Sequence, residues 1–351
     1  MKENKYLVLY RKLRDEMKNG AYDYGMKIPS KRDLAERESC SMMTVEHALA
    51  MLEEEGYIQA KPRSGYYCTY RPASFFDGEA KIARKEFRTP SMEENTFPYT
   101  VYARAVRKVL SDHDEILLSR SEPNGAEVLR RAISSYLYRA RGIQADPERI
   151  IIGAGSEYLY SLIVSMLGTH RIYGIETPSY HRIEEIYKSM GVRIDNLQLG
   201  NNGILNSELE RTPASVLHVT PYRSFPTGST ADINKKQQYL SWASTTGRFL
   251  IEDDYRSEFA PSVYGEETLF AMGHNAPIIY LNTFTRTIGS GVRVGYMILP
   301  EGYPELTKSL SFRSCSVSVL TQYVLAELLN NGSFERNLNR LRKLERTSSG
   351  K

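Results

Sequence analysis

Three separated segments carry residues whose types and spacing suit ligand chemistry. Gly153-Ala-Gly155-Ser156 reads as a strand end followed by a helix over Glu157–Leu167, where free backbone N–H groups and the helix dipole suit a phosphate. Ile251-Glu-Asp253-Asp254-Tyr255 is a second strand end. A carboxylate there can keep a ring nitrogen protonated, and a phenol can bond an oxygen. Thr285 and Arg293 bracket Arg286 and offer a hydroxyl and a guanidinium to phosphate oxygens. Taken singly, each has a plainer reading: a glycine turn, helix capping or surface charge at Asp253 and Asp254, a surface ion pair at Arg293. Their order and spacing together point to one pocket. The cysteines Cys40, Cys68 and Cys315 have neither disulfide nor metal spacing, so no metal site is expected.

A second chemistry belongs to the first seventy residues. Lys31 and Arg32 flank a helix N-terminus that can itself bind phosphate, Ser41 and Thr44 stand at the front of the next helix, and Arg63 and Gly65 mark a hairpin tip. The elements that must position them follow from local signals. Tyr6–Met17 has helical spacing and stops at Asn19-Gly20; Ser30 is an N-cap with Asp33 in the first turn; Ser41 caps a third helix that Gly56 ends. Tyr57–Ala60 and Tyr66–Thr69 then alternate as two strands. Helix, helix, turn, helix and hairpin make a winged helix-turn-helix. Its third helix enters the major groove, and its wing reaches backbone or minor groove. The expected partner is double-stranded DNA; a helical protein-interaction module is the alternative.

Beyond a linker expected at 71–86, amphipathic helices over Val101–Leu110 and Val128–Leu137 alternate with apolar runs at Arg149–Gly153, Ser215–Val219, Phe249–Ile251 and Ile278–Leu281. That alternation predicts a mainly parallel sheet with ligands at the strand carboxyl ends. The 351 residues predict two or three domains, and 41% hydrophobic with 25% charged residues is ordinary for a globular chain. A net charge of +4 permits nucleic-acid binding without demanding it. Basic clusters over Arg71–Arg88 and at Arg336, Arg340, Arg342, Lys343 and Arg346 read as solvated linker and helix faces. No run approaches membrane-spanning length and no signal-like stretch follows the opening residues, so a cytoplasmic, membrane-free protein is expected.

The segments "PSKRDLAE", "TVEHALAMLEEEGYI" and "RSGYY" resemble the GntR family of bacterial repressors, with Met42 where a polar residue is common in the family. Over nearly the whole chain, "FPYTVYARAVRKVL", "LRRAISSYLYRARGIQADPERIIIGAGSEYLYSLIV", "ETPSYHRI", "TPYRSFPTG", "LIEDDYRSEF", "IYLNTFTR" and "RVGYMILP" resemble the MocR-like regulators, which join a GntR head to an aminotransferase-like body. The resemblance implies a cofactor, pyridoxal 5'-phosphate, with Ser156, Thr285 and Arg293 on its phosphate. It also implies Tyr180 against the pyridine ring, Arg182 for a ligand carboxylate, Asp253 at the ring nitrogen and Tyr255 at the ring oxygen.

The departures from the family pattern cluster at that pocket. Arg286 stands where the Schiff-base lysine belongs, and no lysine occurs between Lys236 and Lys308. Glu157 replaces the usual glutamine, Tyr222-Arg223 replaces a more polar pair, and Arg256 replaces an acidic residue. The family continues into a C-terminal small domain, whereas residues 347–351 read as a polar tail without helix or strand. The expected architecture is a winged helix-turn-helix (1–70), a linker (71–86) and a PLP-transferase-like α/β domain (87–346), incomplete at its C-terminus. The expected function is a DNA-binding, homodimeric transcription regulator whose body dimerises and senses a small anionic effector. No catalytic residue is expected, and the cofactor is held without a covalent bond at most. The alternatives are an active PLP-dependent regulator or aminotransferase using a lysine elsewhere, and a degenerate remnant.

Overall fold

The structure is a computed structural model that describes residues 4–62, 64–70, 97–260, 267–273 and 276–349. The expected linker and the hairpin-tip Arg63 lie outside the described residues. The chain divides into two compact units, Met1–Pro90 and Ser91–Lys351.

The first unit contains α1 (Lys5–Lys18), α2 (Lys31–Arg37), α3 (Met42–Glu54), β1 (Ile58–Lys61) and β2 (Gly65–Cys68). Ser30 and Asp33 form a reciprocal capping box at the start of α2, and the Ser41 hydroxyl accepts from the Thr44 N–H at the start of α3. These contacts satisfy helix-end donors that would otherwise lack partners. Leu13, Leu34, Val45 and Leu49 are fully buried, each contributing about 1.5–3 kcal/mol by leaving water. β1 and β2 pair antiparallel with Lys61 opposite Gly65. The hairpin is shifted by one residue from the expected strand limits, and Gly65 has φ +110°, a conformation that favours glycine.

The second unit runs α4 (Tyr99–Asp112), α5 (Glu127–Arg141), β3 (Ile150–Gly153), α6 (Ser156–Leu167), β4 (Ile172–Thr177), α7 (His181–Ser189), β5 (Arg193–Gly200) and β6 (Gly203–Ile204). It continues with α8 (Asn206–Arg211), β7 (Val216–Val219), α9 (Ile233–Ala243), β8 (Phe249–Asp253), α10 (Leu269–Met272), β9 (Ile278–Thr283), β10 (Gly295–Ile298), α11 (Pro304–Lys308), α12 (Val319–Asn330) and α13 (Ser333–Ser349). Eight strands form one sheet in the order β3-β10-β9-β8-β7-β4-β5-β6. The central pairings from β9 to β5 are parallel, and β10 and β6 pair antiparallel with their neighbours.

Strand alternation distributes side chains to the two faces. Ile150 and Ile152 join Leu137, Leu325 and Leu338 from α5, α12 and α13, whereas Ile151 joins Leu159, Ile163 and Tyr187 from α6 and α7. The parallel strands β4, β7, β8 and β9 end together, placing Thr177, Val219, Asp253 and Thr283 along one edge.

Two expectations change at the C-terminal side. The stretch from 347 was read as a structureless tail, yet α13 continues to Ser349. Leu338 and Leu341 anchor that helix in the core, and extending an anchored helix adds one hydrogen bond per residue fixed. Arg342, read as solvated, donates from Nε to the Glu258 carbonyl at 2.6 Å.

Candidate functional site

At the sheet edge, a cavity of about 300 Å³ brings together Ser156, Tyr180, Asp253, Tyr255, Thr285 and Arg286, six residues from four separated stretches of sequence. Asp253 ends β8 and is 6% exposed. Its Oδ2 accepts from the Tyr160 hydroxyl and lies 3.5 Å from His218 Nε2. The other imidazole nitrogen, Nδ1, is 2.8 Å from the Tyr187 hydroxyl. A buried carboxylate needs such partners to offset its desolvation. Burial holds the phenols of Tyr160 and Tyr187 well above their ordinary pKa, so Tyr160 remains a donor.

Tyr160 was not among the expected site residues, although its place four residues after Ser156 puts both on one face of α6. Phe225 and Thr220 also line the cavity, with the rings of Tyr180 and Phe225 edge-to-face at 6.4 Å. The Thr220 N–H and the Ser224 hydroxyl donate to the two oxygens of Glu176, at 3.0 and 2.6 Å. Burial raises the Glu176 carboxyl to about 7, against the lowering effect of those donors.

Three expected ligand groups are engaged elsewhere. Tyr255 lines the cavity, but its hydroxyl donates to the Arg223 carbonyl at 3.0 Å. Arg182 does not line the cavity; its Nη1 contacts Glu157 Oε1. Arg293, with φ 48°, donates from Nη2 to Glu157 Oε2 at 3.1 Å. Glu157 therefore draws both guanidiniums onto the first turn of α6, a turn that favours a carboxylate. The Gly155 turn before it has φ +85°, a conformation that favours glycine. Arg286 is exposed, with its guanidinium 5.8 Å from the Phe259 ring centroid. Asp254 is no surface charge: it is 4% exposed, caps Ser257 and pairs with Arg141 at 3.1 Å. No group of three or more metal-ligating side chains occurs among the described residues.

In the first unit, Lys31, expected at a phosphate, has partners within the fold. Its ammonium lies 2.9 Å from Glu46 on α3 and 5.9 Å from the Tyr66 ring centroid, so it ties α2 to α3 and the wing. Arg32 is exposed beside it. The hydroxyls of Ser41 and Thr44 are 2.9 Å apart, and each retains further hydrogen-bonding capacity. Met42 and Met43 are 42% and 69% exposed at the front of α3, an apolar surface suited to a thymine methyl. Gly65 opens the wing's second strand.

Comparisons with known proteins place both units. Residues 5–68 match the model for bacterial regulatory proteins of the gntR family, and residues 90–348 match aminotransferase class I and II. The HTH-type transcriptional regulator YdeL of Bacillus subtilis is 32% identical over 97% of this chain and 76% of its own length. The "Probable rhizopine catabolism regulatory protein MocR" of Rhizobium meliloti is 23% identical over 96% and 74%. The pyridoxine biosynthesis transcriptional regulator PdxR of Corynebacterium glutamicum is 26% identical over 96% and 76%.

Among solved structures, an archaeal alanine:glyoxylate aminotransferase superposes with a TM-score of 0.63 at 22% identity. That match covers 69% of this chain and spans about 62% of the aminotransferase; it shows the fold. With a gntR-type head, an aminotransferase-type body and regulators of that build matching along almost all its length, the chain belongs to the MocR-like subfamily of GntR transcriptional regulators.

Proposed function

We propose that this DNA-binding regulator uses its aminotransferase-like body to dimerise and to sense a small anionic ligand, without covalent pyridoxal phosphate chemistry. The observation that carries the reading is Arg286 in the cavity wall beside Asp253, in a stretch with no lysine between Lys236 and Lys308. A guanidinium stays protonated and does not condense with an aldehyde as a deprotonated amine does. The pocket fits pyridoxal phosphate at the ring end alone. Asp253, backed by Tyr160, suits a ring nitrogen, and Tyr180 suits the ring face. Arg293, which the family resemblance puts on the phosphate, is instead paired with Glu157 and is not among the residues lining the cavity, and position 286 supplies no amine. The residues present therefore do not fit the phosphate-bearing, covalently held cofactor.

In the head, Arg32, Ser41, Thr44 and Gly65, with the hairpin-tip Arg63, make the DNA-facing set, and Lys31 positions α2 against α3. Two heads in a homodimer would read paired half-sites and gain affinity through effective concentration. Borohydride reduction of the full chain in the presence of pyridoxal phosphate, followed by peptide mapping, tests the reading of the body. The expected result is no stoichiometrically modified lysine; one lysine modified in full would overturn it.

A further inference from the structure

We propose that Met42 and Met43 are base-reading residues of the head and select half-sites by the 5-methyl groups of thymine. The proposal rests on the DNA-facing reading of the head. Helix α3 is the third helix of the winged fold, and the first residues of such a recognition helix reach base edges in the major groove. Its sequence, MMTVEHALAMLEE, holds no lysine or arginine. The commonest direct contact, a cation forked onto guanine, therefore has no donor on this helix. What its first turn presents instead is apolar: Met42 is 42% exposed and Met43 69%.

Most other long side chains of α3 are tied to the head itself. Val45, Leu49 and Leu52 form its buried face. Glu46, one turn after Met42, lies 2.9 Å from the Lys31 ammonium, which offsets a carboxylate that would otherwise repel DNA. Glu53 accepts from the Ala60 N–H of the wing at 2.9 Å, and the His47 ring stands edge-on to that of Tyr6 on α1, 5.6 Å between centroids. A methionine facing water gains by covering a thymine methyl. Its unbranched thioether adapts to the shape of the step it meets. Phosphate contacts then fall to other elements, with Arg32 exposed at the front of α2; such contacts hold the head on DNA without reading sequence.

Thymine and uracil pair alike and differ by that methyl alone, so exchanging them isolates the contact. A duplex library with a randomised core is first selected on the full-length protein. The half-site obtained is then resynthesised with thymine or with uracil at each A·T pair. Gel-shift titrations compare the two duplexes on wild type, M42A, M43A, M42A/M43A and M42L/M43L, with thermal melts to show that the variants fold. Wild type is expected to lose about fourfold in affinity for each contacted methyl removed, the worth of one buried CH₂ group. M42A and M43A should each lower that ratio, M42A/M43A should bind both duplexes equally, and M42L/M43L should keep the preference for thymine. Equal binding of both duplexes by wild type, or an unchanged ratio in folded M42A/M43A, would overturn the proposal. Where salt-dependent binding persists alongside either result, the methionine assignment alone falls. If wild type enriches no sequence and shifts no duplex, the DNA-facing reading of the head falls with it.

Discussion

Glu176 is a buried carboxyl group with two donors: the Thr220 N–H and the Ser224 hydroxyl reach its two oxygens. Burial raises it to about 7, above the ordinary value near 4.5 that it regains on unfolding. The folded protein therefore binds a proton more readily than the unfolded chain. The stability from that proton is fully present below about pH 4.5 and is lost as pH rises through about 7. Stability of the body should thus fall between about pH 4.5 and 7, with a contribution from this one group of up to ~1.4 kcal/mol per pH unit. E176Q should remove that contribution, and thermal melts across the range would show a flatter profile. Equal pH slopes for the two proteins would contradict the assignment. The same scale holds the pocket's own chemistry. Arg286 was legible in the sequence because a nucleophile's position was filled by a group that cannot serve. The engagement of Arg182 and Arg293 by Glu157 was not, because it requires three side chains from separate elements to meet in space.

Helices and strands explain which residues could be placed beforehand. Ser30 with Asp33 and Ser41 before Met42 are local capping signals, and α2 and α3 begin at those residues. The apolar runs at Arg149–Gly153 and Phe249–Ile251 fall in the buried strands Ile150–Gly153 and Phe249–Asp253, since a run of that length between turns suits a sheet covered on both faces. The strand order was not legible, because β10 inserts antiparallel between β3 and β9 through pairings distant in sequence. Tyr160 is not legible for a related reason: helical spacing links it to Ser156, but only the packing of α6 on the sheet brings its hydroxyl to Asp253. For the recognition elements, exposed Arg32 at the front of α2 is expected to contact a phosphate. R32A should weaken binding to the native upstream DNA evenly across sequence variants and lower the log–log salt slope by about one per head. A gel-shift titration at several salt concentrations measures this, and an unchanged slope would remove Arg32 from the interface.

At the scale of the molecule, a nucleic-acid-binding head and an enzyme-like body share one chain, and each keeps its own core. The division followed from a change of periodicity along the sequence, and the two family matches fall on either side of it. The body retains the sheet, the Asp253 end and the cavity of its fold. The proposed absence of covalent cofactor chemistry rests on Arg286, a guanidinium that does not condense with an aldehyde as an amine does. A body of this fold with no amine at position 286 would suit recognition, where differential affinity for a ligand can shift the population of a DNA-binding state. The most direct test is the absorption spectrum of the purified full-length protein with and without added pyridoxal phosphate. The expected result is the spectrum of free pyridoxal phosphate added to that of the protein, unaltered by borohydride beyond reduction of the free aldehyde. A shifted, borohydride-sensitive band that stays with the protein through gel filtration would contradict it.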